Sequence, residues 1–599
     1  MVEKLEKLYQ KYPDRFCAVV VIAAAVLPFL PSLGFATFIF DDSAYIGQEF
    51  LFSPTWRNLK YHLTAKTVGL NSPLVMMSFI PDYMVWGKEL FHCGARLQNI
   101  LWHCCGMVFF YLILRKLKWN FKDGSELDIP PPAAMFAAVA AAWHPQRLES
   151  VVWLAERKDV LVVTLGLAAI YTFVRAYQRD RIPAAAPVLL FLSLWGVKPM
   201  MISLPLILTA GWLAVEKFSF RKFFRYFSGV YLATALYVLM NLSTFVNFSS
   251  GAVAAAGGSG ENRIALAAYN ILCYFGKTLF PVRLNPLYPL NDPAAVSNWY
   301  VVILLLIIAG LIVPAVIPGR IREVSARTLL PCGMMFGLAV LPVCNLQQIG
   351  NVDFADRYSY FPSLFIWAAA AGALVLFWRR FRNFRRMTAI VAGFYLLVLP
   401  VITFSYLPAW KDSTSQLDAM LAVPEPHPAA IKLAAFDEFK KQEYENALAL
   451  TNLIRLSKKL NRSDEIFIEG MYGMVEICRG NAEAGIARIN GFLSRPDWYF
   501  IRGLPGSFIR RCMLTAVNWH LKQRKPENLR YAANIFLMWS QLAADTNQME
   551  KHNYEGVAMM ILGRYDEAEK CFLEALAFAP ADANIRKNLE SVRRKKIRH

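Results

Sequence analysis

The chain has 599 residues, of which 56% are hydrophobic and 18% charged, and carries a formal net charge of +20. A soluble domain averages about 25% charged residues, whereas here runs of about 20 apolar residues, enough to cross a bilayer, recur from Val19 to Leu407. An ordinary soluble enzyme is excluded. The positive charge lies largely in short clusters between apolar runs, where it suits an anionic leaflet, so it argues for no nucleic-acid partner.

Taken in chain order, the pattern predicts an all-α chain of two domains: 1–410 in the membrane, and 411–599, where acids, amides and bases interleave and no run is long enough to span. Lys and Arg near span ends stay cytoplasmic. That rule places inside the N-terminal stretch (Lys4, Lys7, Lys11, Arg15) and the clusters at 115–122, 175–181, 217–225, 320–327 and 379–386. About eleven spans follow, roughly 17–40, 96–114, 130–145, 160–178, 184–197, 199–215, 226–246, 299–318, 328–345, 358–377 and 387–407. Segment 265–282 is expected to be re-entrant or interfacial. This count puts the C-terminal domain outside the cytoplasm. The first span reads as an uncleaved anchor; a signal peptide is the competing reading. The ten cysteines show neither a disulfide framework nor zinc spacing.

The charged turns that are not basic clusters all fall on the predicted outer side. Asp41 and Asp42 end the first span and open a loop of about fifty residues. The third span delivers "WHPQRLESVVWLAERKDV" (143–160), in which Glu149, Val152, Trp153 and Glu156 recur at helical spacing and mix acids into an apolar face, as a merely solvated helix would not. Lys198 sits in "GVKPMM", where a charge near lipid is costly and would suit a phosphate. Asp356 and Arg357 lie in "NVDFADRYSYFP". Taken singly, each has a plain structural reading: a solvated flank for the two aspartates, an interfacial residue for His144.

In that order "FDD", "NILWH" (99–103), "HPQRLESVVWLAERKDVL", "VKPMMISLPLIL", "YFGKTLFPVRLNPLYPL" and "ADRYSYFP" resemble the membrane region of the transmembrane and tetratricopeptide-repeat O-mannosyltransferases and their bacterial relatives. These belong to the C-type (GT-C) superfamily of polyprenyl-phosphate-sugar-dependent glycosyltransferases. One departure is "NSPL" (71–74), where the family usually has Arg-Pro-Leu. The resemblance implies transfer of a sugar from a polyprenyl-phosphate donor to an acceptor hydroxyl on the outer face of a bacterial inner membrane or in the lumen of the endoplasmic reticulum; a single displacement would invert the anomeric centre, and the acceptor is a glycolipid or, as the repeats favour, Ser or Thr of an exported protein. It implies Asp41 and Asp42 as catalytic, Asp41 being the favoured base. Lys198, Arg357, Arg157 and Lys158 would hold the donor phosphate, and His103, His144, Glu149, Glu156, Asp356 and Tyr358 would support substrate or structure. No cofactor is required on this reading; a divalent cation on Asp41 and Asp42 is left open. Two rivals stand beside it: a glycan polymerase or ligase of the O-antigen type, and a noncatalytic membrane scaffold that recruits partners through its repeats.

The C-terminal domain fits the same family. "NYEGVAMMILGRYDEAEKCFLEALAFAP" places Gly556, Gly563, Tyr565, Ala568, Phe572, Ala575 and Pro580 at tetratricopeptide spacing. Weaker matches supply Tyr444 and Ala447, and then Gly473 and Gly480. About 190 residues would hold four or five repeats, whose concave surface would bind the protein acceptor.

Overall fold

The computed structural model describes residues 2–38, 41–47, 52–64, 71–116, 119–120, 126–242, 262–290, 296–316, 325–346, 352–455, 462–494, 506–543, 548–580 and 582–598. Parts of the predicted clusters at 115–122 and 320–327, and the end of the predicted span 226–246, lie outside them. Apart from a two-residue antiparallel pairing of Trp119–Asn120 with Glu126–Leu127, the regular structure of these residues is helical. The chain divides into two units. One is Met1–Pro54 with Asn71–Gln416; the other is Thr55–Leu70 with Leu417–His599.

Among the described residues of the first unit, seven segments are long and apolar enough to cross a membrane: Pro13–Gly34, Pro73–Lys116, Leu154–Gln178, Phe220–Met240, Trp299–Val316, Ser363–Arg380 and Arg382–Trp410. Shorter apolar stretches stand between them at Pro131–Trp143, Ala185–Gly196, Pro199–Val215 and Arg327–Val343. Trp299–Val316 decides the solvent. Its residues are all apolar or small and none is buried, an arrangement that water penalises and hydrocarbon does not. The chain is an integral membrane protein.

At the centre lies α1 (Pro131–Trp143), which packs against Pro13–Val26, Pro73–Lys116, Ser363–Arg380 and Arg385–Tyr406. Its run of alanines, Ala137, Ala138 and Ala140 to Ala142 among them, is buried; small side chains let helix backbones approach closely where lipid supplies no hydrophobic drive.

The segment Pro73–Lys116 corrects the predicted long outer loop. It is helical from Pro73 onward and breaks at Gly87, whose φ of 63° and ψ of −173° no helix tolerates. The two arms fold back on each other. Trp86 lies so close over Gly94 that a β-carbon there would meet its ring at 2.0 Å, and Tyr83 meets Phe91 edge to face at 5.7 Å. The sequence hid this hairpin because Asp82, Lys88, Glu89, His92 and Arg96 interrupt the apolar run.

The second unit stacks four helix pairs and a final helix. They are Pro428–Lys440 with Tyr444–Arg455, Arg462–Cys478 with Ala482–Leu493, Gly506–Gln523 with Pro526–Ala543, Gln548–Ile561 with Tyr565–Phe578, and then Ala583–Arg598. Each pair turns on a residue in the left-handed region two positions before its second helix: Gln442, Gly480, Arg524 and Gly563. Two of the four are glycine, which adopts that conformation without steric cost. The helices cross closely: a β-carbon on Gly473 would stand 2.8 Å from the carbonyl of Gly485. The turns are spaced more widely than the roughly 34 residues of a tetratricopeptide unit. The unit also takes in the helix Trp56–Thr64, from the predicted outer loop, with Tyr61 against the ring of Phe578 and the Arg57 guanidinium 5.6 Å over it.

Candidate functional site

The site is built where the first apolar segment ends. Arg96 donates to the carbonyls of Phe35 and Ala36 and, at 3.1 Å, to that of Val152. These bonds tie the chain just before Asp41 to the turn at 153–156. Asp42 completes the join. Its Oδ2 accepts the Phe38 N–H at 2.9 Å and its Oδ1 the Ala155 N–H at 2.8 Å. With both oxygens so used and only 1% of the residue exposed, Asp42 holds the turn in place. Burial pushes its carboxyl up to about 6, against the pull of those two N–H groups and Arg96.

Beside this join, charges from four separated stretches converge. Lys158 Nζ lies 3.1 Å from Glu156 Oε1 and 3.5 Å from Asp41 Oδ2, and 4.8 Å over the ring of Tyr45. Lys198 donates to Asp159 Oδ1 at 2.7 Å and stands 4.9 Å over Tyr358. Ser72 of the departing "NSPL" string fixes the turn before it, donating to the carbonyl of Val197 at 2.8 Å. Arg357 pairs with Glu149 Oε1 and donates its own N–H to Glu149 Oε2 at 2.8 Å. Its Nε lies 3.5 Å from Glu156 Oε1 without a hydrogen-bond partner among the described residues, as is true of Glu156 Oε2.

One carboxylate differs from the rest. The side chains of Glu149, Glu156 and Asp159 are 2%, 1% and 0% exposed, whereas that of Asp41 is 31% exposed. Burial lifts Glu149 to about 7 although Arg357 pulls it down. Burial alone would lower Lys198 and Arg357; the carboxylates of Asp159 and Glu156 outweigh it for Lys198, and that of Glu149, with Tyr358 and Glu156 behind it, for Arg357, so both cations are held above their usual range.

Arg157, expected at the donor phosphate, is elsewhere. Its guanidinium is wholly buried and committed: Nη1 to Asp82 Oδ2 at 2.6 Å and the Ser78 carbonyl at 3.0 Å, Nε to Asn99 Oδ1 at 2.8 Å, Nη2 to the Ala95 carbonyl at 2.6 Å. In a straight helix Ser78 and Ala95 would stand about 25 Å apart at 1.5 Å per residue. Arg157 therefore staples the two arms of the hairpin together. A cation on the acidic pair is not supported by the donor set either, since Asp42 has spent both oxygens on backbone and Asp41 faces an ammonium.

The expected supporting residues hold the surrounding turns. His103 Nδ1 meets the Tyr360 hydroxyl. His144 is kept neutral, pushed well below the ordinary histidine range by burial and Arg147; its Nε2 faces the Thr278 carbonyl at 3.1 Å and its Nδ1 the Gln146 N–H at 3.3 Å. Asp356 accepts from Gln146 Nε2 and from the Tyr288 hydroxyl, both at 3.0 Å, and burial raises its carboxyl. Arg147 was missed by the sequence reading. Buried, it donates to Ser359 and Ser363 at 3.0 and 3.2 Å and lies 4.5 Å over the ring of Tyr360, while its Nε and Nη1 have no hydrogen-bond partner among the described residues. Its only sequence signal was its place beside His144 and Glu149.

No family model matches the sequence, and no curated protein matches it. Among solved structures the chain is similar to the Archaeoglobus fulgidus oligosaccharyltransferase tethered with an acceptor peptide containing the NVT sequon. The identity is 15%, the TM-score 0.35, and the alignment covers 74% of this chain and 59% of that one. The chain thus spans less than two thirds of that protein's length.

Proposed function

We propose that this protein is an integral-membrane glycosyltransferase of the C type, moving a sugar from a polyprenyl-phosphate donor to an acceptor hydroxyl by a single inverting displacement. The observation that carries the reading is the solvent-reached carboxylate of Asp41 within a cluster whose other carboxylates are buried against Lys158, Lys198 and Arg357. Asp41 takes the proton of the acceptor hydroxyl. The acceptor oxygen forms its bond to the anomeric carbon as the bond from that carbon to the phosphate oxygen breaks, and polyprenyl phosphate leaves with the electron pair. Lys198, with donors beyond the one given to Asp159, and Arg357, through an Nε that makes no hydrogen bond among the described residues, stabilise the leaving phosphate; an arginine fork and a lysine point charge suit that role. Lys158 orients Asp41.

On this reading the active face and the second unit lie outside the cytoplasm, and the helix pairs of that unit, read as tetratricopeptide-like, present the protein acceptor. The test is transfer in detergent from a purified polyprenyl-phosphate sugar to a Ser/Thr peptide, followed by mass spectrometry. A glycosylated peptide that disappears with Asp41→Asn supports the proposal. Transfer that survives Asp41→Asn refutes the base. If no transfer occurs from a range of donors while the second unit still captures membrane partners, the scaffold reading takes its place.

A further inference from the structure

The first unit contains a cavity of about 620 Å³, within the 300–1,000 Å³ range of built ligand sites. None of Asp41, Lys158, Lys198 and Arg357 lines it. Most of its wall is hydrocarbon, including Leu167, Ile170, Phe173, Ile207 and Leu364, and Gly211 and Gly372 open the space by withholding side chains. Its polar lining is Tyr177, Gln178, Glu216, Arg327 and Thr328, and the Tyr177 hydroxyl donates to Glu216, which sets these two and the adjoining Gln178 together at one end. Exposed bases surround that end, among them Arg179, Lys217 and Arg221.

The helices fix where this end lies. Along Leu154–Gln178, Lys158 belongs to the charged cluster and Gln178 to the cavity's polar rim, and at 1.5 Å per residue they stand about 30 Å apart, the thickness of the hydrocarbon core. The wall from Leu167 to Gln178 covers about 16 Å, the depth of one leaflet. A lipid whose phosphate sits at Lys198 and Arg357 cannot also place its headgroup at Gln178.

We infer that this cavity is a second lipid site, holding an acyl chain of an anionic phospholipid from the leaflet opposite the donor, with the headgroup among the bases at the polar rim. The chemistry is complementary on both counts, with a largely apolar slot and a mouth where bases outnumber the acids, since Glu216 and Asp180 are paired by Lys222 and Arg225 and Arg179, Lys217 and Arg221 stand exposed beside them. The assignment of leaflets rests on the proposed function; the cavity and its charge do not.

The test is lipid retention by the full-length protein, reconstituted in vesicles of phosphatidylglycerol and phosphatidylcholine in equal parts, re-extracted, and read by native mass spectrometry. Gly211→Leu fills the slot. A β-carbon at Gly211 meets only Met335 Sδ at 3.5 Å, an ordinary contact, so the helix is undisturbed. The expected result is about one phosphatidylglycerol retained per wild-type chain, retention at least fivefold lower in Gly211→Leu, and an unchanged or raised Tm. Equal retention by wild type and variant overturns the inference, as does equal retention of the two phospholipids. Polyprenyl phosphate, added to the vesicles in a separate arm and displacing the phosphatidylglycerol in a Gly211-dependent manner, would assign the cavity to the donor and overturn it too. Since the readout is retention and not transfer, loss of glycosyl transfer alone touches the proposed function and leaves this inference standing.

Discussion

Replacing Arg157 by methionine separates two uses of one residue. The side chain is fully buried in an ion pair with Asp82, itself 5% exposed, and makes further bonds to Ser78, Ala95 and Asn99. Removing one partner of a buried pair strands the other, at a cost of about 3–5 kcal/mol. Arg157→Met should therefore lower the Tm of the donor-free protein strongly. The double change Arg157→Met with Asp82→Leu removes the stranded charge and should recover much of the loss, since buried pairs replaced by apolar groups of similar volume are often neutral or stabilising. Such coupling in a double-mutant cycle typically reaches about 0.5–3 kcal/mol. The assay is thermal unfolding in detergent of the wild type, both single variants and the double variant, with donor KM on whichever remain folded. An unchanged Tm in Arg157→Met together with a raised donor KM would refute the staple and return Arg157 to the phosphate.

Asp41→Asn should lower kcat by about 10²–10⁴, the usual contribution of a general base, with little change in Tm because its 3.5 Å approach to Lys158 is long and Glu156, at 3.1 Å, still pairs that ammonium; a comparable loss of Tm would make it structural. Asp42→Ala leaves the Phe38 and Ala155 N–H groups unpaired and should cost about 2–6 kcal/mol, at about 1–3 per buried donor, seen as a lower Tm. Asp42 also gives a pH test. Its folded carboxyl titrates at about 6 against an ordinary 3.8, so the folded state holds the proton more tightly. That contribution is fully present below about pH 3.8 and lost as pH rises through 6, roughly 3 kcal/mol at 1.36 per unit; the Tm difference between wild type and Asp42→Asn should shift across that window and be flat above it. Since Lys198 sits on buried Asp159, the pair Lys198→Met with Asp159→Asn tests phosphate binding better than an alanine at Lys198: donor KM should rise at least tenfold while Tm holds, and an unchanged KM would remove Lys198 from the donor site.

The membrane segments were legible because hydropathy alone requires them, and the stretches carrying Asp41, Glu149 to Lys158, Lys198 and Arg357 were legible because charge at the edge of an apolar run is expensive. What each side chain does there was not. Asp41 and Asp42 are neighbours with opposite fates, decided by which one reaches the Ala155 N–H. Arg157 and Lys158 are adjacent too, and a helix turns them about 100° apart, one to the hairpin and the other to Asp41. The hairpin itself was illegible because Asp82 finds its partner in Arg157, 75 positions further on, and Arg96 in the carbonyls of Phe35, Ala36 and Val152. Arg147 left no pattern of its own.

The Arg157 staple also bears on the order in which the protein can be made. Synthesis runs at about 5–20 residues per second, and Arg157 emerges about 60 residues after Ala95, so the two arms around Gly87 exist for roughly 3–12 s before the group that clasps them. During that interval Asp82 has no guanidinium to meet and water is its natural solvent. The arms therefore lack their clasp until the helix that begins at Arg157 arrives, and a chain truncated before that helix would carry the hairpin with Asp82 unpaired by it.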